Sequence, residues 1–544
     1  MKRFINTLLL FNFILFSSCL HEDFLEENPR DIISANNLYR NYDGFQAGIN
    51  GLYAYVIKER NGPGNTGNYA FNIPTMQGLD ISYGTRWGGG AFLGFIDLHL
   101  LNSEVGEFGA LFEWLYQVVN AANTIIERAE NADVDWQGTN TAEDEARKNR
   151  VLAEARTIRA WSYRHLTNLW NDVPLTTKES TGADLGIEWR PTPRIQVEEQ
   201  MEADWLFAME HLPEVQEIPG RISQAVPMHY LAELYLIWGQ YSEAESMALN
   251  LINNGNFSLV TERYGIQRNQ PGTPFTDMFI DGNVSRNQGN TEVLWSFQRE
   301  FQVIGGENRS NMRRLFNSPY DIKFKGVSLQ VTVERGGRGL SAVSLTKWAI
   351  ENFGDNDDRG GPYALRKYYI IQPGDRIDAG AGYALGDTLW LDWSEERMVY
   401  NNSGWPSITK YDWALEQNVR AAQSFKDEIY LRLGETYLLL AEAQIMQGKN
   451  TEAAETINVL RRRANAPEIT SSDVSVDFLL DERARELLFE EHRKYVLVRH
   501  NKYVERVRAF NPTVSSLISE QYHYLPVPQR IIDSSPGYPQ NPGY

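Results

Sequence analysis

The sequence predicts a mostly α protein in which tetratricopeptide-like helix-turn-helix units scaffold a loop-rich region with short strands. Three observations predict it: apolar residues at helical spacing through the first third, a gapless internal repeat of a helical hairpin, and a change of composition between the two copies. Of the 544 residues, 42% are hydrophobic and 23% charged, the balance of a folded chain with room for a large core.

Residues 1–18 read as a secretory signal and not as part of the fold. Lys2 and Arg3 precede an apolar run from Phe4 to Phe16, which is shorter than the about 20 residues of a spanning helix. Ser17 and Ser18 then lead into Cys19, the single cysteine. This resembles a bacterial lipobox, with Phe16 where leucine is usual, and implies cleavage before Cys19 and lipidation at Cys19. The competing reading is ordinary signal cleavage that leaves a free thiol. Residues 19–33 form an acidic tether, and no later apolar run is long enough to cross a bilayer, so membrane contact is expected through the lipid anchor only.

Residues 34–257 read as helical. Ser34 is placed to cap a helix whose Phe45, Ile49, Leu52, Tyr53 and Val56 share one face. Leu111, Leu115, Val118, Ala122 and Ile125 form a second stripe, and a third pattern runs from Ala142 to Trp170. The repeat follows: residues 231–244 align with 440–453, six of 14 positions being identical. In each copy Ala232 or Ala441 lets two helices approach, and Gly239 or Gly448 ends the first helix in a left-handed conformation. Ser242 or Thr451 stands where it can cap the second.

Between the copies, residues 258–425 are dense in Gly, Asn and aromatic residues. Segments 291–297 and 328–333 alternate like strands, and glycine turns recur at Gly305-Gly306, Gly336-Gly337 and Gly380-Ala381-Gly382. Trp295, Trp348, Trp390, Trp393, Trp405 and Trp413 argue for binding loops over a bare linker. Residues 426–544 return to helical patterning.

The net charge of −19, with no basic run, argues against a partner tracked by its phosphates, so no nucleic acid is expected. One cysteine excludes an intramolecular disulfide and a cysteine zinc cluster. The chain holds no His-Glu-x-x-His, Gly-x-Ser-x-Gly or phosphate-binding Gly-x-x-x-x-Gly-Lys-Ser/Thr motif. No catalytic residue, cofactor or metal is therefore expected. Glu482, Glu486, Glu490 and Glu491, with Arg483, Arg485 and Arg493, read as an ion-pair ladder along a packed helix. Asp355-Asn356-Asp357-Asp358 offers calcium-type oxygens without the glycine and terminal glutamate of a calcium loop, and reads as a solvated turn.

What remains is an aromatic surplus of 14 Trp, 27 Tyr and 24 Phe. Flat rings cover the apolar face of a pyranose, while carboxylate and guanidinium groups pair with its hydroxyls. Met76 to Gly90 sets Tyr83 and Trp87 in a glycine-rich stretch with Asp80 and Arg86 nearby. Tyr83 and Trp87 are the expected stacking platforms, Asp80 and Arg86 the hydroxyl partners, and Trp405 a second platform. The opposing reading folds these rings into the core, as expected for Trp114, Trp161, Trp205, Trp238 and Trp295 within periodic segments.

Several pieces in fixed order carry a family resemblance: the lipobox with Asp23-Phe24-Leu25-Glu26, Ala153 to Tyr163 followed by Trp170-Asn171-Asp172-Val173-Pro174-Leu175, Leu431 to Ala443, Ile457 to Ala464, Glu482 to Glu490, Leu525-Pro526-Val527-Pro528 and Gln540 to Tyr544. Together they resemble SusD/RagB-type outer-membrane lipoproteins nearly end to end. Lys494 and Val496 depart from the aromatic residue and Asp usual there. The resemblance implies four tetratricopeptide-like helix pairs and a non-enzymatic role, capturing glycan and delivering it to a SusC-like TonB-dependent outer-membrane transporter. It also implies a lipid-anchored protein of the outer membrane facing the cell exterior. Peptide capture, a surface glycoside hydrolase and a structural surface protein are the rival functions.

Overall fold

The computed structural model describes residues 35–60, 72–85, 97–180, 189–303, 309–398, 403–421 and 424–544. Helix α1 (Tyr42–Val56) buries Phe45, Ile49, Leu52 and Val56, the stripe its spacing predicts. Its cap is Asn41, whose side chain accepts the Gly44 N–H at 3.0 Å; Ser34 lies outside the described residues. Then come α2 (Gly106–Ala129), α3 (Thr141–Trp170), α4 (Arg194–His211), α5 (Ala225–Ile237) and α6 (Tyr241–Asn253). After the long excursion the chain returns in α7 (Leu433–Met446), α8 (Asn450–Arg463), α9 (Val476–Glu486) and α10 (Arg493–Arg499).

From α3 to α8 each helix packs on the one before it, α2 packs on α3, and α6 packs directly on α7. The helical layer is therefore continuous although the chain leaves it for well over a hundred residues. The fold is mostly α, as the sequence predicts. α5–α6 and α7–α8 are the two copies of the repeat, and Gly239 and Gly448 turn between their helices at φ of 72° and 74°. The predicted caps are corrected: α6 and α8 start at Tyr241 and Asn450, after Gln240 and Lys449, and neither start has a side-chain cap. The Ser242 hydroxyl instead reaches Gln447 at 3.4 Å, across to α7.

Among the described residues the strands form two-stranded antiparallel ladders. Those used below are β1 (Ser82–Gly84), β2 (Val293–Phe297), β3 (Val343–Leu345), β4 (Tyr368–Ile370), β5 (Thr388–Trp390) and β6 (Glu428–Arg432), paired β1 with β3, β2 with β6 and β4 with β5. The alternation at 291–297 becomes β2, but all five of its residues are buried, because helices lie behind it. At 328–333 only Ser328 belongs to a strand.

The acidic cluster near the C-terminus is more than a ladder along one helix. Glu486 and Glu482 on α9 are fully buried, and their partners come from distant parts of the chain. Arg432 of β6 reaches Glu486 at 2.5 Å and Glu292, just before β2, at 2.8 Å. Arg463 of α8 holds the other Glu292 oxygen at 3.0 Å. Arg359 bridges Glu482 at 2.8 Å and Glu486 at 3.0 Å. Burial alone would raise the Glu486 carboxyl, but Arg463, Arg432 and Arg359 together hold it well below the usual range. Only the Arg485–Glu482 pair, 2.7 Å at i,i+3, fits the ladder expected from sequence. The Asp355–Asp358 turn is likewise not simply solvated, since Asp357 is buried against Arg359 at 2.7 Å.

Candidate functional site

Three of the five residues expected to meet a sugar are inside the core. Asp80 is fully buried and grips Arg493 at 2.6 and 3.1 Å and Arg506 at 2.9 Å, joining the segment before β1 to the C-terminal helices. The Tyr83 ring meets the Trp405 ring edge-on at 5.7 Å, and the Trp405 Nε1–H donates to the Leu345 carbonyl at 3.0 Å. These two rings therefore pin β1 to β3. The glycines around them point to exposure, but Met76, Leu79 and Ile81 carry the segment inward with them. Arg86 and Trp87 lie outside the described residues, as does Cys19. Trp114, Trp161, Trp205 and Trp295 are buried as expected, and Trp238 is half-buried with Nε1–H donating to Glu198 at 2.8 Å.

What the fold does bring to the surface is a chain of three rings on the open end of the β2–β6 ladder. Glu428 pairs with Phe297, and beyond the strands the two segments stay joined: the Arg299 N–H donates to the Asp427 carboxylate at 2.7 Å, and Ser310 and Ser424 exchange backbone bonds of 2.7 and 3.1 Å. Phe301 and Phe425 are thereby set side by side at 5.1 Å, although over a hundred residues separate them in sequence. Trp413 joins them, 6.2 Å from Phe425. Its loop is closed by Gly336 and Gly337, both at positive φ, where a Cβ on Gly336 would strike the Asp412 carboxylate at 2.4 Å. Phe301 is 43% exposed, and the other two rings are half-buried.

Carboxylates flank the rings. The Trp413 Nε1–H donates to Asp281 at 2.9 Å. The carboxyl of Asp427 is pushed up to about 6 by burial and by the neighbouring Asp281 and Glu428, against the pull of Arg299. The end of the turn after α1 meets this region as well. The Arg60 carbonyl accepts the Asn311 N–H at 3.0 Å, next to the Ser310 bridge. Sequence reasoning lists Trp413 among the excursion tryptophans but misses Phe301, Phe425 and the two aspartates. Only the register of β2 on β6, a long-range pairing, assembles them.

One polar cluster looks at first like a metal centre. Ligand atoms of Glu59, His165 and His492 approach within 4.8 Å, all buried. Yet His492 Nε2 lies 3.1 Å from the Glu59 carboxylate, and its Nδ1 lies 3.5 Å from the Arg164 guanidinium. A guanidinium only donates, so Nδ1 spends its lone pair there and Nε2 carries the proton towards Glu59. His165 is held between the Tyr495 and Tyr430 hydroxyls at 3.1 and 3.5 Å. These groups are a hydrogen-bonded core network.

Comparison with known proteins gives consistent results. The family model described as "SusD family" matches residues 291–544, and one described as "Starch-binding associating with outer membrane" matches residues 91–236. The chain is similar to SusD-like protein P2 of Formosa agariphila, 24% identical over 543 residues, 96% of each chain. It is also similar to SusD-like protein P38 of that organism, 27% identical over 394 residues, 66% of this chain and 68% of that one. Among solved structures, a SusD homologue from Bacteroides thetaiotaomicron superposes with a TM-score of 0.72 at 19% identity, covering 94% of this chain and 98% of the other. A laminarin-binding SusD-like protein gives 0.68 at 20% identity, over 93% and 100%. Surface glycan-binding protein A of B. thetaiotaomicron, in complex with laminarihexaose, gives 0.69 at 17% identity, over 92% and 99%.

Proposed function

We propose that the chain, whose residues 291–544 match the model of the SusD family, is a surface glycan-binding protein of that family that captures oligo- or polysaccharide without cleaving it and passes it to a TonB-dependent outer-membrane transporter. The observation that carries this reading is the partly exposed ring chain Phe301–Phe425–Trp413 flanked by Asp281 and Asp427. Rings at these spacings cover successive apolar sugar faces, and the carboxylates accept the equatorial hydroxyls. The relatives named for laminarin and laminarihexaose support the ligand class. Lipidation of Cys19 supplies the membrane attachment. Among the described residues no helix is long and apolar enough to cross a membrane. Trp87, two residues along the chain from Thr85, stays a candidate ring alongside these.

The test is retention of the protein in native gels containing laminarin, starch or xylan, with reducing ends measured in parallel. We expect retardation without new reducing ends, and Trp413→Ala or Phe301→Ala to weaken it at least tenfold with an unchanged melting temperature. Asp427 adds a pH signature. Above about pH 6 it is a carboxylate and accepts hydroxyls, below it is neutral, so affinity should fall between pH 7 and pH 5. Asp427→Asn should flatten that profile. A carboxyl with this titration also suits a general acid, which is the observation favouring a hydrolase; new reducing ends lost in Asp427→Asn would establish that reading instead.

A further inference from the structure

A second concavity lies on different elements. The segment 176–180 is clamped onto α2 by two helix amides: Asn123 Nδ2–H donates to the Thr176 and Lys178 carbonyls, each at 3.1 Å, and Asn120 Oδ1 accepts the Ser180 N–H at 2.8 Å. Between this segment and the helix opens a cavity of about 850 Å³, within the roughly 300–1,000 Å³ of small-molecule sites. Its walls are aromatic. The Trp189 ring stands edge-on to Tyr116 at 4.6 Å and 6.5 Å from Phe112. Its floor is the exposed α2 face that carries Gln117.

Charge narrows the ligand. Both carboxylates in the lining are committed, Glu113 to Arg530 at 2.5 Å and Glu179 to Arg128 at 2.8 Å. Lys178 is the only cation among the described lining residues, and no ion pair to it occurs among the described residues. The cavity therefore offers rings, a free carboxamide, threonine and serine hydroxyls and one ammonium. That set complements a chain of pyranose rings, whose faces are apolar and whose edges are hydroxyls. A peptide needs rows of backbone partners, which side-chain rings do not supply.

We infer that this cavity is a second carbohydrate site, which takes a short oligosaccharide with Trp189 as its stacking ring and Gln117 and Lys178 as hydroxyl partners. The inference rests on the glycan-binding reading and adds a separate locus to it. Two sites on one protein raise the avidity for a polymer without any new contact at either.

The test is isothermal titration of the full chain with laminarihexaose, maltohexaose, xylohexaose and trigalacturonate. The expected result is a stoichiometry of two with at least one of them, falling to one in Trp189→Ala and to one in Trp413→Ala. Trp189→Phe should restore the second site. Gln117→Ala, an exposed helix position, should weaken it several-fold at unchanged melting temperature. A stoichiometry of one that Trp189→Ala leaves intact overturns the inference while the proposed function stands. So does a Trp189→Ala loss that comes with unfolding while Gln117→Ala binds normally. Displacement of the bound sugar from this site by tetra-alanine overturns the carbohydrate assignment. No heat from any of the four sugars overturns the glycan-binding reading and this inference with it.

Discussion

Replacing Asp80 with asparagine keeps the side chain's shape and removes its charge, leaving Arg493 and Arg506 buried with one anion fewer between them. Breaking a buried pair in this way costs about 3–5 kcal/mol, so Asp80→Asn should lower the melting temperature in a thermal scan while any folded fraction still binds sugar. The opposite pattern, lost binding at full stability, would return Asp80 to the site. Lys494 makes a second residue-scale prediction. Burial pushes its amine down to about 7, and its Nζ lies 5.6 Å from the centre of the Tyr503 ring. Between that value and the usual lysine range the unfolded chain holds a proton that the folded chain releases, so stability rises with pH across this window. Lys494→Met should therefore melt higher than the parent at pH 7, and the gap should close towards pH 10. The sequence marks Lys494 as a departure from its family pattern, and a buried lysine is the physical content of that departure. It could not reveal that Tyr83 and Trp405 face each other, because adjacent glycines predict a turn and say nothing about which side of it meets the core.

At the scale of elements, the repeated hairpin was the most legible feature. Gly239 and Gly448 both adopt the left-handed backbone that their position in the repeat predicts, and neither is crowded: a Cβ on Gly448 meets nothing within 4 Å, and one on Gly239 touches only the Tyr241 ring. Gly448→Ala should thus report backbone strain alone, about 1–2 kcal/mol, read from the shift of a urea midpoint. Gly448→Asn should cost less, since asparagine tolerates this conformation. Helix starts were less legible. Ser242 and Thr451 look like caps because the turn is two residues longer in the eye of the sequence than in the fold, where the helices start at Tyr241 and Asn450 after Gln240 and Lys449. The binding face was the least legible of all. Phe301 and Phe425 belong to one surface only through the pairing of β2 with β6, and no local periodicity encodes a partner so far along the chain.

At the scale of the whole molecule, the helical layer closes on itself where α6 meets α7, so the excursion leaves and re-enters at neighbouring points. The lipid attachment proposed above rests on Cys19, which makes Cys19→Ser a clean test: the protein should move from the membrane fraction to the soluble fraction while retaining its polysaccharide retardation. The two ends of the β2–β6 ladder are built differently. One end, at Glu292 and Arg432, is sunk in the buried ion-pair cluster with Glu486 and Arg463. The other carries Phe301 and Phe425 outward. Doubling the length of a loop at the open end costs only about 0.6 kcal/mol in closure entropy, whereas a single change at Glu292 takes one buried partner from both Arg432 and Arg463. If the proposed function holds, a designer seeking a new sugar preference should therefore work around Phe301, Trp413 and Phe425 at one end of this pair of strands and leave Glu292 and Arg432 at the other alone.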